Sequence, residues 1–229
     1  MRIYTNFEEA VNETHRDLAE MGIKVHPATM QNKNVADSED YETLELQNYG
    51  YTVVDACSTI DQLNPTQPWA DAEFSERVSP VFTNPGVAWQ LRDDVWTEFL
   101  NDHGQFDYTY NERFHYLKQL DKIIEELRRN PDSRQCYLSV WHPSDTQWIG
   151  RAVKRIPCSL GYLFQVRRGR LNMTYYMRSC DFVTHFHNDI YLAVRLMKYV
   201  AKMVGVEPGD FTHFMNSLHI YKKDAEGVF

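Results

Sequence analysis

An α/β domain of the α+β kind, with a mixed twisted sheet and long helices, is what this sequence predicts. Three observations carry that expectation. His115–Arg129 and Ile190–Val204 repeat apolar residues at helical spacing. Leu160–Arg167 and Leu171–Arg178 alternate around Arg168-Gly169 as a β-hairpin. Leu44–Cys57 is rich in β-branched and aromatic residues and reads as strand.

In chain order, residues 6–21 form an amphipathic helix with Phe7, Ala10, Val11, Leu18 and Met21 near one face. Residues 25–40 are polar and irregular, and His26-Pro27, Asn32 and Asn34 make them a loop. After the strand at 44–57, Asn64-Pro65 breaks the chain, and Trp69 to about Val78 suits a short helix. Residues 81–96 have no period that assigns them. In His115–Arg129 the residues Tyr116, Leu120, Ile123, Ile124 and Leu127 share a face, and Asn130-Pro131 stops the helix. Cys136–Trp141 follows as a strand. In Ile190–Val204 the core face is Ile190, Ala193, Val194, Met197, Ala201 and Val204. Gly205 follows, and residues 207–210 (Glu-Pro-Gly-Asp) read as a turn. A strand at about 214–221 completes the pattern. No internal repeat divides the chain, so residues 1–229 are expected to form one domain.

Hydrophobic residues make up 43% of the 229 residues and charged residues 24%, with a net charge of −8. That balance supports a buried core and argues against a long basic surface for a polynucleotide. A local arginine cluster could still bind a small anion. Cys57, Cys136, Cys158 and Cys180 show neither metal-ligand spacing nor a disulfide framework, so no metal is expected. The acidic N-terminal stretch has no apolar segment of the signal-peptide kind, and no run is long enough to span a bilayer. The expectation is a cytoplasmic protein with reduced thiols.

Cys158 follows Pro157 just before the hairpin, preceded by Arg151, Lys154 and Arg155. A cysteine there is either a nucleophile favoured by nearby cations or a small apolar filler. Arg178, Ser179 and Asp181 close the hairpin's second strand, and Asp189 stands where the next helix begins. Guanidinium and hydroxyl suit a phosphate, leaving the carboxylates to read a base or position a second ligand. A surface Arg–Asp pair and a helix N-cap are the alternative.

Together these segments resemble the thymidylate synthase family. Pro157-Cys158, Gln165, Arg178-Ser179-Cys180-Asp181, Asp189-Ile190 and His219-Ile220-Tyr221 occur in the family's order, preceded by Asn130-Pro131-Asp132-Ser133-Arg134. The resemblance spans about residues 106–221. It implies a three-layer fold whose sheets pack against each other in a homodimer. It makes Cys158 the nucleophile that adds to C6 of a pyrimidine nucleotide, with 5,10-methylenetetrahydrofolate donating the one-carbon unit. Arg178 and Ser179 would hold the 5′-phosphate, and Arg134 would reach the phosphate site of the other protomer. Gln165, His219 and Tyr221 would complete the nucleotide site, while Asp181 and Trp96 would contact the folate. Glu73, rather than Glu76, would be the acid–base residue.

Asp189 departs from the family pattern, which has Asn. A carboxamide matches uracil O4 and N3–H, whereas a carboxylate accepts from the N4 amine of cytosine and stabilises a proton at N3. The mismatch with uracil is worth on the order of 10²–10⁴ in discrimination. Asn188-Asp189 resembles the deoxycytidylate hydroxymethylase branch. The expected activity is therefore C5 hydroxymethylation of dCMP or CMP. Reductive C5-methylation of dCMP or dUMP and a catalytically silent nucleotide-binding relative are the alternatives. Gln135, His142 and His185 also depart from the family pattern.

Overall fold

A strand of 15 residues, Glu207–Tyr221, runs through the middle of an eight-stranded mixed sheet in the computed structural model, which describes residues 1–225. The strands are β1 (Arg2–Tyr4), β2 (Ile23–Val25), β3 (Thr29–Met30), β4 (Lys33–Asn34), β5 (Thr43–Val53), β6 (Tyr137–Ser139), β7 (Ser159–Arg167), β8 (Arg170–Met177), β9 (Cys180–Asp181) and β10 (Glu207–Tyr221). The helices are α1 (Phe7–Met21), α2 (Trp69–Arg77), α3 (Asp93–Trp96), α4 (Tyr110–His115), α5 (Gln119–Arg129) and α6 (Phe186–Val204). Strand order is β1-β5-β10-β8-β7-β6, with β2 on β5 and β9 on β10, while β3 and β4 form a separate hairpin.

Side chains alternate across the pleat, so each strand offers one face to the core. Tyr162, Phe164 and Val166 of β7, Met173 and Tyr175 of β8, and Phe211 and Met215 of β10 are buried. Helix α6 covers this face through Phe186, Ile190, Val194 and Met197, and Phe7 of α1 meets Phe211 at 6.1 Å between ring centroids. His213 is buried among these rings, 5.0 Å from Tyr175 and stacked on it, and burial holds its imidazole neutral with a pKa lowered to about 3. The opposite face presents the half-exposed Leu163, Gln165, Tyr176, Thr212 and Phe214.

The helix expected at 115–129 begins instead at Gln119. Leu117 and Lys118 adopt left-handed φ values of 51° and 56°, which break it from α4. Gln119 makes that break worthwhile, because its amide bonds Arg113 O (2.6 Å), Ser139 O (2.9 Å) and Ser139 N (3.0 Å). The turn expected at 207–210 is absorbed into β10, whose register with β8 shifts between Pro208 and Phe211. Helix α6 starts a full turn before Ile190, so Asp189 lies inside its first turn and His185 takes the N-cap position. The loop at 25–40 contains the small β3–β4 hairpin.

Candidate active site

Strand directions bring the site together. β8, β9 and β10 are mutually parallel where they meet, so Arg178, Asp181 and His219 emerge at one edge of the sheet. β7 runs antiparallel to β8, so its beginning, not its end, lies at that edge. Cys158 therefore sits beside Arg178, whose backbone N–H donates to Cys158 O at 2.9 Å. Ligands of open sheets with parallel strands bind outside the strands' carboxyl ends. Here that place is a cleft of about 500 Å³.

Cys158 is half-buried in this cleft, and its Sγ accepts a hydrogen bond from Gln31 Nε2 at 3.2 Å. Arg178 Nη2 stands 3.9 Å from the same sulfur. The Arg178 guanidinium is braced from behind, with Nε donating to Pro157 O (2.9 Å) and Nη2 to Ile156 O (3.0 Å). Burial pushes up the other three thiols, that of Cys57 to about 11.

Asp189 is half-buried on the lining of the cleft, and its carboxyl makes no hydrogen bond among the described residues. Burial pushes its pKa up to about 7. Arg77 and Arg92 pull against that shift, while Asp181 and Glu73 add to it. The helix N-terminus alone would favour the anion, so desolvation dominates here. Asn188, next to it, is turned away and holds the segment before α2, accepting from Thr66 N at 2.7 Å.

Asp181 uses Oδ1 to accept from the N–H groups of Val183 (3.0 Å) and Thr184 (3.1 Å), which shapes the turn into α6. His219 and Tyr221 lie on the cleft wall with their rings 4.9 Å apart, and burial lowers the His219 pKa. Ser179 also lines the cleft. Trp96 forms part of the opposite wall, stacked on Trp69 at 6.0 Å and 22°. Arg155 Cζ lies 4.9 Å from the Trp96 ring and 4.4 Å from Phe99.

Glu73 lies not in the cleft itself but in a small adjoining chamber of about 50 Å³. Trp69, Arg77, Trp96, Tyr108, Tyr110 and Arg155 line both spaces. Glu76 lines the same chamber and also braces the chain beyond α2, where its Oε1 accepts from Val87 N (2.7 Å) and Ala88 N (2.9 Å). Gln165 is not brought into the site. It pairs with Asn172 on the half-exposed face of the sheet, roughly 20 Å along β7 at ~3.3 Å per residue. Arg134 is exposed on the segment before β6, away from its own cleft. Gln31 and Arg77 carried no local sequence signal. Arg155 stood out only as part of a basic run. Among the described residues no group of three or more His, Cys, Asp or Glu could hold a metal ion, and no helix is long and apolar enough to cross a membrane.

Comparison with known proteins places this geometry in a family. A protein from Methanosarcina acetivorans described as "Putative thymidylate synthase" is 33% identical over 163 residues, covering 65% of this chain and 73% of that protein. A protein of the same description from Methanosarcina barkeri is 34% identical over 127 residues, covering 54% of this chain. The match spans only 57% of that relative's length. The crystal structure of thymidylate synthase from T4 phage superimposes with a TM-score of 0.71 at 20% identity, covering 93% of this chain and 77% of that one. That likeness establishes the shared fold. The thymidylate synthase family profile matches residues 87–229, which hold Cys158, Arg178, Asp189 and His219, and the chain belongs to the thymidylate synthase family.

Proposed function

We propose that this cleft hydroxymethylates C5 of a cytidine 5′-monophosphate, dCMP or CMP, with 5,10-methylenetetrahydrofolate as the one-carbon donor. The observation that carries the proposal is Asp189, a half-buried carboxyl in the same cleft as Cys158, without a hydrogen bond among the described residues and pushed by desolvation up to a pKa of about 7. Such a group can share its proton with N3 of cytosine while its other oxygen accepts from the N4 amine. A proton at N3 makes C6 more electrophilic. The Cys158 sulfur then bonds C6, and the displaced electron pair develops at C5. Arg178, with Nη1 free of hydrogen bonds among the described residues, and Ser179 would take the 5′-phosphate. His219 and Tyr221 would meet the sugar.

The other wall fits a flat heteroaromatic ring. Trp96 and Trp69 are stacked, both indole N–H groups are buried without an acceptor, and Asp181 Oδ2 faces no donor among the described residues. When bound there, methylenetetrahydrofolate supplies one carbon at the oxidation level of formaldehyde. Water provides the hydroxyl of the product, and tetrahydrofolate leaves. Glu73, in the chamber that opens beside the Trp69–Trp96 wall, is the residue proposed to move the proton of that water. Loss of the C5 proton and cleavage of the C6–S bond release the product. Residues 1–229 act as one catalytic domain in this reading. The half-exposed sheet face would pair with a second copy, and Arg134 would reach the other protomer's phosphate site.

Release of tritium from [5-³H]dCMP or [5-³H]CMP with methylenetetrahydrofolate tests the proposal, and Cys158→Ser should abolish it. No release from either cytidylate overturns the proposal. A second reading, reductive methylation of a uridylate, is favoured by the description of the Methanosarcina relatives. It requires release from [5-³H]dUMP and a rise in absorbance at 340 nm from dihydrofolate.

A further inference from the structure

Gln31 lies far from Cys158 in sequence, in a segment with no motif, yet its side chain reaches the sulfur. Its Nε2 donates to Cys158 Sγ at 3.2 Å, nearer than Arg178 Nη2 at 3.9 Å. Arg178 already gives hydrogen bonds to the carbonyls of Ile156 and Pro157, so its charge is turned partly away from the thiol. Two further features bear on Gln31. Its backbone has φ of 53°, as the first residue of the two-residue β3–β4 loop requires, and that turn fixes where the side chain starts. Its Oε1 is buried without a partner. With Nε2 given to the sulfur and Oε1 left unpaired, the amide is placed for Cys158 and not for a partner within its own hairpin. The surroundings hold it: Val35 N bonds Ala28 O at 2.9 Å across the base of the β3–β4 hairpin, and Lys33 Nζ pairs with Glu98 Oε2 at 2.6 Å on the facing wall.

We propose that Gln31 is a positioning residue for the Cys158 thiol, delivered by the β3–β4 hairpin, whose amide N–H steadies the sulfur as thiolate before the nucleotide binds. A hydrogen bond given to the charged form of an acid favours that form. The amide can also turn, offering Oε1 to the S–H when the thiol is neutral. The proposal rests on Cys158 as the attacking group, but its test uses no nucleotide.

The measurement is the rate of iodoacetamide alkylation of Cys158 in the free protein between pH 6 and 10, followed by peptide mass spectrometry. Gln31→Met keeps the length and removes the donor, and Gln31→Glu replaces the donor with an anion. Alkylation at pH 7 should slow about fivefold in the first and more than tenfold in the second, with the profile displaced to higher pH. Cys57, half-buried and outside the cleft, should alkylate unchanged and reports an intact fold. Unchanged Cys158 profiles in both variants overturn the proposal. So does faster alkylation in either, which would make Gln31 only a cover over the sulfur. Should the profiles shift as expected while wild-type protein releases no tritium from a cytidylate, the proposed reaction fails and the role of Gln31 stands.

Discussion

Arg77 gives its Nε–H to Glu73 Oε1 at 2.8 Å and lies flat over Tyr110, with Cζ 3.6 Å from the ring centroid. Both partners of the ion pair are largely enclosed, with side-chain exposures of 7% and 21%. Arg77 also faces Asp189 and opposes the rise in its pKa. One guanidinium thus balances two carboxyl groups of the site. Arg77→Met should destabilise the protein by about 3 kcal/mol, because Glu73 would keep an uncompensated enclosed charge. Chemical denaturation at pH 7 reads this, and the double variant Arg77→Met, Glu73→Gln should recover most of the loss.

Asp189 makes stability depend on pH in a direction opposite to that of most carboxylates. The native carboxyl keeps its proton up to about 7, while in the unfolded chain an aspartate releases it near pH ~4. Between these values the native state binds more protons, so stability falls as pH rises and levels off above 7. The loss should be on the order of 2 kcal/mol, since the half-buried carboxyl keeps part of its solvation. Thermal melts of Asp189→Asn between pH 4 and 8 should lack this fall.

The same proton bears on base choice. A neutral carboxyl offers one donor and one acceptor, which also suits uracil O4 and N3–H. Cytosine N3 is more basic than uracil O4, so a cytosine complex holds the proton to higher pH. The ratio of kcat/KM for dCMP over dUMP should therefore rise from pH 6 to pH 8, and Asp189→Asn should move the preference toward uracil at both. A ratio that does not change with pH contradicts the shared proton.

The two glutamates of α2 should separate cleanly. Glu76→Ala leaves the N–H groups of Val87 and Ala88 unpaired and should cost about 1–2 kcal/mol of stability. Glu73→Gln should leave tritium release largely intact while lowering formation of the 5-hydroxymethyl product more than tenfold. Product analysis by mass spectrometry beside the tritium assay measures the difference.

Arg134 is tested by mixing. In the proposed dimer each site takes Arg134 from the opposite protomer, so Arg134→Ala and Cys158→Ser would complement each other. Equal amounts, unfolded and refolded together, should regain about a quarter of wild-type activity, since half the dimers are mixed and each has one intact site. No regain would place Arg134 outside the neighbouring site.

Local chemistry already determined a good deal. The helical period of α6, the Arg168-Gly169 hairpin and the order of Cys158, Arg178, Asp181 and His219 are properties of short windows, and each is present in the structure. The sequence alone also singled out Asp189 as the informative departure. What tertiary structure decided was everything that depends on neighbours distant in the chain. A slip of one position in the pleat separates a core side chain from a surface one, which is why Gln165 falls on the half-exposed face while Phe164 is buried. The start of α6 a turn earlier than its apolar period turned Asp189 from an N-cap candidate into a half-buried carboxyl of the helix's first turn. Desolvation by the surrounding walls then raised its pKa, and no window of sequence contains those walls. Gln31 meets Cys158 for the same reason: a polar loop without a motif acquires a role only when the fold closes it over the sulfur.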